Sequence, residues 1–344
     1  MDQLNTPNYR QKKIKFDENT PFWVRFKYKY LNSYFAQKVL WSVFRFLLLV
    51  GISYVILQPY ISKISGSFMS REDFVDVTVK IIPKSPTFDT YKAIIKENEY
   101  FKALLNTTIL SLSTAVIQTI VCSVVGYGFS KFKFKGRGLL FALVIVTMVI
   151  PHKTLRTALF MKFRYFDFWG IWGAIAKLFN LSDDVTPCIA NMIGTYWPFI
   201  ILSLTALGFK NGLFIFIMRQ YFQGVPDELE EASYVDGAGV LRTFITIILP
   251  MSLPMMVTIF LFAFSWQWSD QFYTTLFFPT NSDWFLTKIV KIPATLDTVY
   301  AGQTAYETAI RNTCGLLILI PLVIVYLFGQ KSLVQGIERS GITG

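Results

Sequence analysis

Long apolar runs alternate with shorter polar segments along most of this chain. A helix that crosses a lipid bilayer needs about 20 consecutive, mostly apolar residues. Six runs approach or exceed this length: Leu40–Tyr60, Leu104–Phe129, Gly138–Phe160, Tyr196–Tyr221, Met251–Phe272 and Thr313–Phe328. The pattern therefore predicts an all-α integral membrane protein with six transmembrane helices, whose spanning domain covers residues 40–328.

The fourth apolar run is interrupted near its middle. Gly208, Lys210, Asn211 and Gly212 place glycine and polar residues where a continuous span needs apolar ones. Irregular backbone at membrane depth is tolerated only where it is buried in protein or lines a water-filled cavity. We expect this span to be broken or tilted.

Basic residues near the span ends indicate orientation, because cytoplasmic loops are enriched in Lys and Arg. The first 39 residues carry eight basic residues, and the loop Ser130–Arg137 carries four and no acid. The loop 61–103 is nearly neutral, with seven basic and six acidic residues. Six crossings from a cytoplasmic start put Ser130–Arg137 inside and 61–103 outside. They also return residues 329–344 to the cytoplasm as a C-terminal tail.

Residues 1–39 form a basic and aromatic N-terminal segment. Within it, Phe22–Tyr30 alternates aromatic and basic side chains. Such interleaving suits single-stranded nucleic acid, but beside a membrane span it favours an interfacial helix against the lipid head groups of the cytoplasmic leaflet. The polar start predicts no cleavable signal peptide.

Four basic residues break the charge rule. Lys153, Arg156, Lys162 and Arg164 follow the third span, where six crossings place the outer face. Either the span ends later and these residues line a polar cavity, or the topology differs there, or their side chains reach the interface from the helix end. If they line such a cavity, they favour an anionic ligand there.

Composition agrees with a membrane protein. The 344 residues are 53% hydrophobic and 16% charged, with a mean hydropathy of +0.44, whereas soluble domains carry about 25% charged residues. The net charge of +11 would suit nucleic acid, but the charges flank apolar runs instead of forming one basic surface. We therefore expect no nucleic-acid partner.

The chain offers little material for catalysis or metal binding. Cys122, Cys188 and Cys314 lie far apart and His152 is the single histidine, so neither a metal cluster nor a Ser/His/Asp site is expected. Asp183–Asp184 fits a solvated turn better than a catalytic carboxylate pair. The Gly-x-x-x-x-Gly-Lys-Ser/Thr motif that binds ATP phosphates does not occur. We expect neither enzyme activity nor a cofactor in this chain.

The segment between the fourth and fifth spans has the signals of two helices joined at a corner. Pro226 suits a first helical position, and the carboxylates that follow it favour a helix N-terminus. Gly237 allows a sharp turn, and a second helix is expected from about Val240 to about Pro250. The carboxylates are Asp227, Glu228, Glu230 and Glu231. Taken alone, the pattern also fits an ordinary loop helix with good caps.

The spacing within this segment is more specific than its helix signals. It reads Glu231-Ala232-Ser233, three residues, Gly237, nine residues, Ile247, one residue and Leu249-Pro250. This spacing resembles the cytoplasmic signature of bacterial ABC importer permeases. Ser233 stands where the signature usually has a second alanine, and it keeps the position small.

Further motifs resemble the carbohydrate branch of that family, the maltose-type second permease, from about residue 40 to residue 344. The basic N-terminal segment and the loop Lys153–Thr195 depart from the pattern. The matching motifs are Pro86–Tyr91, Asn106–Thr107, Tyr127–Lys131, Gly136–Arg137, Ile150–Pro151, Arg219–Phe222, Val225–Pro226, Trp268–Asp270 and Gln330–Gly336.

The resemblance implies a partner for the loop 222–250. In this family the loop docks as a coupling helix on a separate ATPase subunit, and ATP and Mg are bound there and not by the permease. The resemblance also implies a second homologous permease, two ATPase subunits and an extracellular solute-binding protein that delivers a carbohydrate, all at a bacterial cell membrane. The resemblance assigns the docking role to these positions of the sequence: Glu231, Ala232, Ser233, Asp236, Gly237 and Pro250.

Polar and aromatic residues inside the predicted spans are candidate contacts for a sugar: Asn106, Gln118, Gln267, Trp268 and Asp270. Hydrogen bonds between helices also explain such residues. Two other functions stay open. The same kind of machine imports solutes such as glycerol phosphate or amino acids, and a secondary transporter is a separate class. The latter expects an inverted repeat and a charged ion-coupling site, and neither is visible in the sequence.

Overall fold

A computed structural model describes residues 21, 23, 33–167, 191–208, 210–280, 284–297 and 303–341. Most of Phe22–Tyr30, and all of Cys188 and Asp183–Asp184, lie outside these residues.

The α-helices in chain order are α1 (Ser33–Gly66), α2 (Asp89–Glu97), α3 (Tyr100–Lys131), α4 (Arg137–Val149), α5 (Arg156–Arg164), α6 (Trp197–Leu204), α7 (Asn211–Gln223), α8 (Glu228–Val235), α9 (Val240–Thr243), α10 (Leu249–Met251), α11 (Leu253–Trp268), α12 (Phe272–Phe277) and α13 (Gln303–Gly341). Short 3-10 turns occur at Glu72–Phe74, His152–Leu155 and Leu286–Lys288, and a π-helical segment at Phe244–Ile248.

Three helices of the described chain are long and apolar enough to cross a membrane. They are Phe35–Gly66 within α1, Tyr100–Lys131, which is α3, and Gln303–Gly336 within α13. Two bent pairs raise the number to five if each pair counts as one span: Arg137–Val149 with His152–Arg164, and Val240–Met251 with Leu253–Trp268. The all-helical membrane fold is therefore present.

The expected interruption of the fourth apolar run is confirmed. Helix α6 ends at Leu204 and α7 begins at Asn211, and the backbone of Ala206 and Lys210 between them is left-handed, with φ of 58° and 66°. Gly208 lies at this break against α3, where an added Cβ would sit 2.9 Å from the Gln118 amide nitrogen. The break therefore combines two uncommon backbone conformations with a close helix contact.

The third apolar run differs from the prediction. A helix through Phe160 was expected, but α4 ends at Val149, and the next helical segment is bent from it by 92°. Pro151 explains the end, because proline lacks a backbone N–H and restricts the residue before it to extended conformations. The preceding residue, Ile150, is extended. Lys153, Arg156, Lys162 and Arg164 consequently lie exposed on the bent segment.

The last helix is longer than the apolar run that predicted it. The expected span was Thr313–Phe328 followed by a separate tail, but α13 continues to Gly341. Hydropathy detects only the part of a helix that meets lipid, so a polar continuation of the same helix escapes it. Residues 329–341 are therefore a helical extension of the sixth run.

Helix α3 is the centre of the second compact unit, Lys63–Gly344, where it packs on α6, α7 and α11. The closest approach is at Gly126, where an added Cβ would sit 2.6 Å from the Cβ of Met218 on α7. Fully buried side chains at Cys122, Phe214 and Ile259 fill the space between these helices. A glycine without a side chain is what allows the two backbones to come this close.

Residues up to Ser62 form a separate compact unit. Its described part is most of α1, whose large apolar side chains are exposed on all sides, for example Leu40 at 71% and Val55 at 70%. A helix that is apolar all round is typical of a membrane span.

Hydrogen bonds join the loop 61–103 and the start of α3 to the segment 284–297. The Asn98 amide donates hydrogen bonds to the carbonyls of Ile289 and Lys291, both at 2.9 Å, and the Leu286 N–H donates to the Thr107 hydroxyl at 2.9 Å. The loop 61–103 therefore lies on the same side of the molecule as the segment 284–297. Six crossings place both segments on the outer face.

Candidate coupling hairpin and translocation cavity

The segment with the importer-like spacing folds as two helical arms around a glycine corner. We call residues 225–251 the coupling hairpin, after the docking role that the family resemblance implies for this segment. Gly237 has a φ of +80°, which a residue with a side chain rarely adopts. Its N–H donates to the Tyr234 carbonyl, and the Ala238 N–H donates to the Ser233 carbonyl, both at 3.0 Å. This pair of bonds is the Schellman arrangement that ends many α-helices, so the predicted helix and corner are confirmed.

The second arm is less regular than expected. It contains α9, the π-helical segment Phe244–Ile248 and α10, and it ends at Met251, one residue after Pro250. Helix α11 then starts at Leu253, and the bend between the two is 75°. Single π turns within α-helices are often found at functional sites, but nothing in the sequence predicts this one.

A hydrogen bond between side chains closes the hairpin. The hydroxyls of Ser233 and Thr243 lie 2.8 Å apart, and both side chains are buried. Ser233 therefore contacts the second arm of its own chain and does not present its side chain outward. The other five positions that the resemblance assigned to docking are all exposed: Glu231, Ala232, Asp236, Gly237 and Pro250.

Two apolar side chains lie beside the exposed acidic ones. Val235 is 88% exposed and Leu241 is 71% exposed. The sequence interpretation did not include them, although an apolar residue in a charged loop is itself a signal. An exposed surface with apolar side chains bordered by carboxylates suits a protein interface.

Lys131, the last residue of α3, fixes the first arm. Its ammonium group donates to the Val225 carbonyl at 2.7 Å and to the Asp227 carboxylate at 2.5 Å, and it lies 3.6 Å from the Glu230 carboxylate. The Lys131 side chain is only 7% exposed and Glu230 is buried. The hydrogen bond from Lys131 holds the pKa of Asp227 below its usual range. The sequence did not reveal this anchor, because it joins residues nearly a hundred positions apart.

An aromatic cluster supports the same junction. The Tyr127 ring, one turn before Lys131, lies 4.5 Å from the Phe244 ring and 5.6 Å from the Phe222 ring, measured between centroids. Both phenylalanines are buried. The cluster joins α3, α7 and the second arm of the hairpin, so these three elements form one packed unit.

Most candidate sugar contacts serve the fold. The Trp268 indole N–H donates to the Ile318 carbonyl at 3.0 Å. The Asp270 carboxylate accepts from the backbone N–H groups of residues 272–274 and from the Thr274 hydroxyl, and so caps α12. Asn106 donates to the Trp284 carbonyl at 3.2 Å. Gln118 donates to the Ser203 hydroxyl at 3.3 Å. The buried amide nitrogen of Gln267 has no hydrogen-bond acceptor among the described residues.

The break in the fourth run opens into a cavity of about 240 Å³. Its polar lining includes Thr147, His152, Lys210, Asn211 and Tyr273, together with several apolar side chains. His152 Nδ1 and the Tyr273 hydroxyl lie 2.9 Å apart. None of the five sugar-contact candidates lines this cavity. The break therefore lies beside a cavity, which is one of the two surroundings in which irregular backbone is tolerated at membrane depth, and the candidate sugar contacts lie elsewhere.

Comparison with known proteins assigns the family. The family model described as "Binding-protein-dependent transport system inner membrane component" matches residues 118–339, which is more than half of the chain. The chain belongs to this family. The matched region contains the coupling hairpin and the break between α6 and α7.

This inner membrane component is also similar to individual transport proteins. It is 27% identical to the galactooligosaccharides transport system permease protein GanQ of Bacillus subtilis (strain 168), over 88% of this chain and 95% of the relative. It is 26% identical to the polygalacturonan/rhamnogalacturonan transport system permease protein YtcP of the same organism, over 88% of this chain and 97% of the relative.

A solved structure shares the fold. A chain of a bacterial ABC transporter involved in the import of the acidic polysaccharide alginate aligns with a TM-score of 0.61 and 19% identity, covering 91% of this chain and 99% of that one. Together, the family and the fold confirm the resemblance seen in the sequence. The protein is a multi-pass transport component of the membrane and not an enzyme.

Proposed function

We propose that this chain is one of two permease subunits of a bacterial ATP-driven importer for oligosaccharides. The observation that carries the proposal is the coupling hairpin, which presents an exposed acidic and apolar surface and is anchored to α3. Relatives that cover 88% of this chain are named as permeases for galactooligosaccharides and for polygalacturonan or rhamnogalacturonan. Both names describe oligomeric or polymeric carbohydrates.

The proposed assembly contains four further proteins. A second permease completes the pathway, two ATPase subunits bind ATP and Mg at the cytoplasmic face, and an extracellular binding protein delivers the sugar. Binding-protein dependence is part of the family description. The proposed topology has six crossings, with the fourth formed by α6 and α7 on either side of their break. Both termini and the loop 222–250 are then cytoplasmic.

The contacts of the hairpin suggest how it transmits motion. A push from the ATPase on the exposed surface acts on α3 through Lys131, and on α7 through the packing of Phe244 against Phe222. Both helices border the break in the fourth run. Movement of the hairpin is therefore coupled to the cavity without any chemistry in this chain, as expected for packed elements with discrete arrangements.

Site-specific crosslinking tests the docking role. An Ala232→Cys variant, in a Cys188→Ser background, is labelled with a short photoactivatable crosslinker in membranes that contain the co-expressed ATPase. We expect a crosslinked product of permease and ATPase, since Ala232 is small and exposed on the hairpin. The control is Val77→Cys, whose position is 92% exposed in the loop 61–103. Equal products from both variants, or none from Ala232→Cys, would contradict the docking role.

Reconstitution tests the cargo. The complete complex in proteoliposomes is given its binding protein loaded with galactooligosaccharides, oligogalacturonates, glycerol phosphate or an amino acid. We expect ATP hydrolysis and uptake to rise only with an oligosaccharide. Stimulation by glycerol phosphate or an amino acid would support the ATP-driven mechanism but show that the transported solute is not an oligosaccharide. Uptake that needs no ATPase subunit would indicate a secondary transporter.

A further inference from the structure

Two arginines lie close together at the end of the molecule that carries the coupling hairpin. Arg219 is in the last turn or so of α7, and its guanidinium carbon lies 4.1 Å from the centroid of the Phe141 ring on α4. Arg137 is the first residue of α4. Residues four apart share one face of a helix, so Arg137 lies one turn from the ring that Arg219 covers. The two charges are close enough to repel each other.

Close packing holds Arg219 in this place. An added Cβ on Gly126 of α3 would lie 3.1 Å from the Arg219 backbone nitrogen. The Phe141 ring also stacks on the ring of Phe216, on the same helix as Arg219, with 6.3 Å between centroids. Helix α7 is thus packed against both α3 and α4 at this level, and the guanidinium group stays beside the start of α4.

The contacts of the two arginines leave hydrogen-bond donors for an anion. An aromatic ring covers the face of a guanidinium group, whereas its five N–H groups point outward in the plane of the group. The buried Nε of Arg219 has no acceptor among the described residues. One terminal nitrogen of Arg137 donates to the Phe132 carbonyl at 3.2 Å. Because like charges side by side repel each other, an anion that bridges the two arginines would stabilise both.

The surroundings of the pair are basic. The loop between α3 and α4 adds the exposed Lys133 and Lys135. Two carboxylates of the neighbouring hairpin, Asp227 and Glu230, form their ion pairs with Lys131. These carboxylates therefore already have a cation, and the arginines are left at the basic edge of this end of the molecule.

An apolar surface continues from the arginines along α4. The described part of the chain buries none of the side chains of this helix. Leu139, Leu143 and Val146 are exposed at helical spacing and form one stripe that begins beside Arg137. A basic end followed by an apolar stripe matches an anionic phospholipid, whose phosphate suits arginine and whose acyl chain suits the stripe. A soluble anion would match the charge alone.

We propose that Arg137 and Arg219 bind the phosphate of an anionic phospholipid whose acyl chain lies along the apolar stripe of α4. The lipid would belong to the cytoplasmic leaflet, because the proposed topology puts the neighbouring hairpin in the cytoplasm. Basic groups between membrane helices on that side bind such head groups in other proteins. A phosphate between the two arginines would join α4 to α7 beside the hairpin. The proposal goes beyond the transport function and does not depend on the transported solute.

Native mass spectrometry of the purified transporter tests this site. The full chain, with the subunits that co-purify with it, is freed of lipid in detergent and titrated with dioleoylphosphatidylglycerol or dioleoylphosphatidylcholine. These lipids share their acyl chains and differ in the net charge of the head group. We expect the first phosphatidylglycerol to bind about tenfold or more tightly than phosphatidylcholine. Inorganic phosphate at the same concentration should not displace it, since it lacks the acyl chain.

Four variants locate the effect. Arg219→Gln and Arg137→Gln should each weaken phosphatidylglycerol binding about tenfold and change phosphatidylcholine binding by less than about twofold. Arg219→Lys keeps the charge without the planar group and should recover part of the loss. The matched control is Arg156→Gln, which removes an exposed arginine beyond the other end of α4 and should leave both affinities unchanged. Thermal unfolding in phosphatidylcholine micelles checks that each variant is folded.

Other outcomes would overturn the proposal. Equal affinity for the two phospholipids would do so, and it is also the result expected if a carboxylate of a partner subunit occupies the arginines. A loss in Arg156→Gln as large as in Arg219→Gln would indicate a general effect of charge. Displacement by inorganic phosphate would indicate an anion site that does not select a lipid. Each result is possible in a transporter whose ATP hydrolysis is stimulated by a loaded binding protein, so the proposal can fail independently of the proposed function.

Discussion

Gly237 is the residue on which the corner of the coupling hairpin depends. Its positive φ lies in a region where a side chain collides with the following carbonyl, at a cost of about 1–2 kcal/mol. An added Cβ would meet no atom within 4 Å. A substitution therefore costs backbone strain alone, so its effect reports on the conformation of the corner and not on side-chain packing.

We expect Gly237→Ala to destabilise the hairpin by about 1 kcal/mol and to reduce substrate-stimulated ATP hydrolysis, while Gly237→Asn is milder because asparagine tolerates this region better. Gly239→Ala is the matched control. Gly239 has a φ of −78° and equally open surroundings, so it should behave like the wild type. Hydrogen exchange of residues 228–243 and ATPase assays measure both effects. Equal effects at positions 237 and 239 would refute the role of the positive φ.

Asp227 determines how the anchor depends on pH. Its folded-state pKa is lowered, chiefly by the hydrogen bond from Lys131, so the contact stabilises the fold while the carboxylate is charged. The contribution is complete above the usual aspartate pKa of about 3.9 and is lost as the pH falls through the lowered folded-state pKa.

We therefore expect the difference in melting temperature between the wild type and Asp227→Asn to stay constant from about pH 8 to about pH 5, and to shrink below about pH 4. Thermal unfolding across this range measures the difference. A difference that disappears near neutral pH would show that the carboxylate is not the partner of Lys131.

At the scale of elements, the end of α3 and the first arm of the hairpin form one structural unit. Lys131 donates hydrogen bonds to Val225 and Asp227 and forms an ion pair with the buried Glu230. A buried charge that loses its partner costs about 3–5 kcal/mol, whereas replacing both partners together costs far less. This difference gives a way to separate the anchor from general damage to the fold.

Lys131→Met should strongly destabilise the hairpin, by about 3 kcal/mol, and uncouple ATP hydrolysis from transport. Adding Glu230→Gln should recover much of the stability without restoring the coupling. Lys133→Met, in the exposed loop after α3, is the control and should change neither. Thermal unfolding and the ratio of transported sugar to hydrolysed ATP are the measurements. If the double variant is no more stable than Lys131→Met, the buried pair is not the cause.

The sequence predicted elements better than it predicted contacts. Apolar runs located the three long apolar helices of the described chain, glycine and polar residues located the break, and helix-capping signals located the corner at Gly237. The end of α4 was misplaced, because counting apolar residues ignores the effect of Pro151 on the backbone. The roles of Trp268 and Asp270 could not be read from sequence, since a polar side chain in a span looks the same whether it caps a helix or binds a sugar.

At the scale of the whole molecule, the loop 61–103 and the coupling hairpin are predicted on opposite sides of the membrane. Each offers one small, strongly exposed apolar residue, Val77 at 92% and Val235 at 88%. Both are suited to replacement by cysteine. The described native cysteines, Cys122 and Cys314, are buried.

Labelling of intact cells with a membrane-impermeant maleimide should modify Val77→Cys directly and Val235→Cys only after permeabilisation, in a Cys188→Ser background. The parent without either new cysteine gives the background signal. Modification of both variants in intact cells would place the hairpin outside, and the proposed docking on a cytoplasmic ATPase would then be wrong.

The length of α3 has a consequence for the lipid around the protein. Its 32 residues extend about 48 Å at 1.5 Å per residue, whereas the hydrocarbon layer is about 30 Å thick. The excess length allows the charged Lys131 end to lie in the head-group zone, even where longer acyl chains thicken the layer by a few ångströms. A change in acyl-chain length with temperature would therefore leave the ion pair between Lys131 and Asp227 outside the hydrocarbon layer.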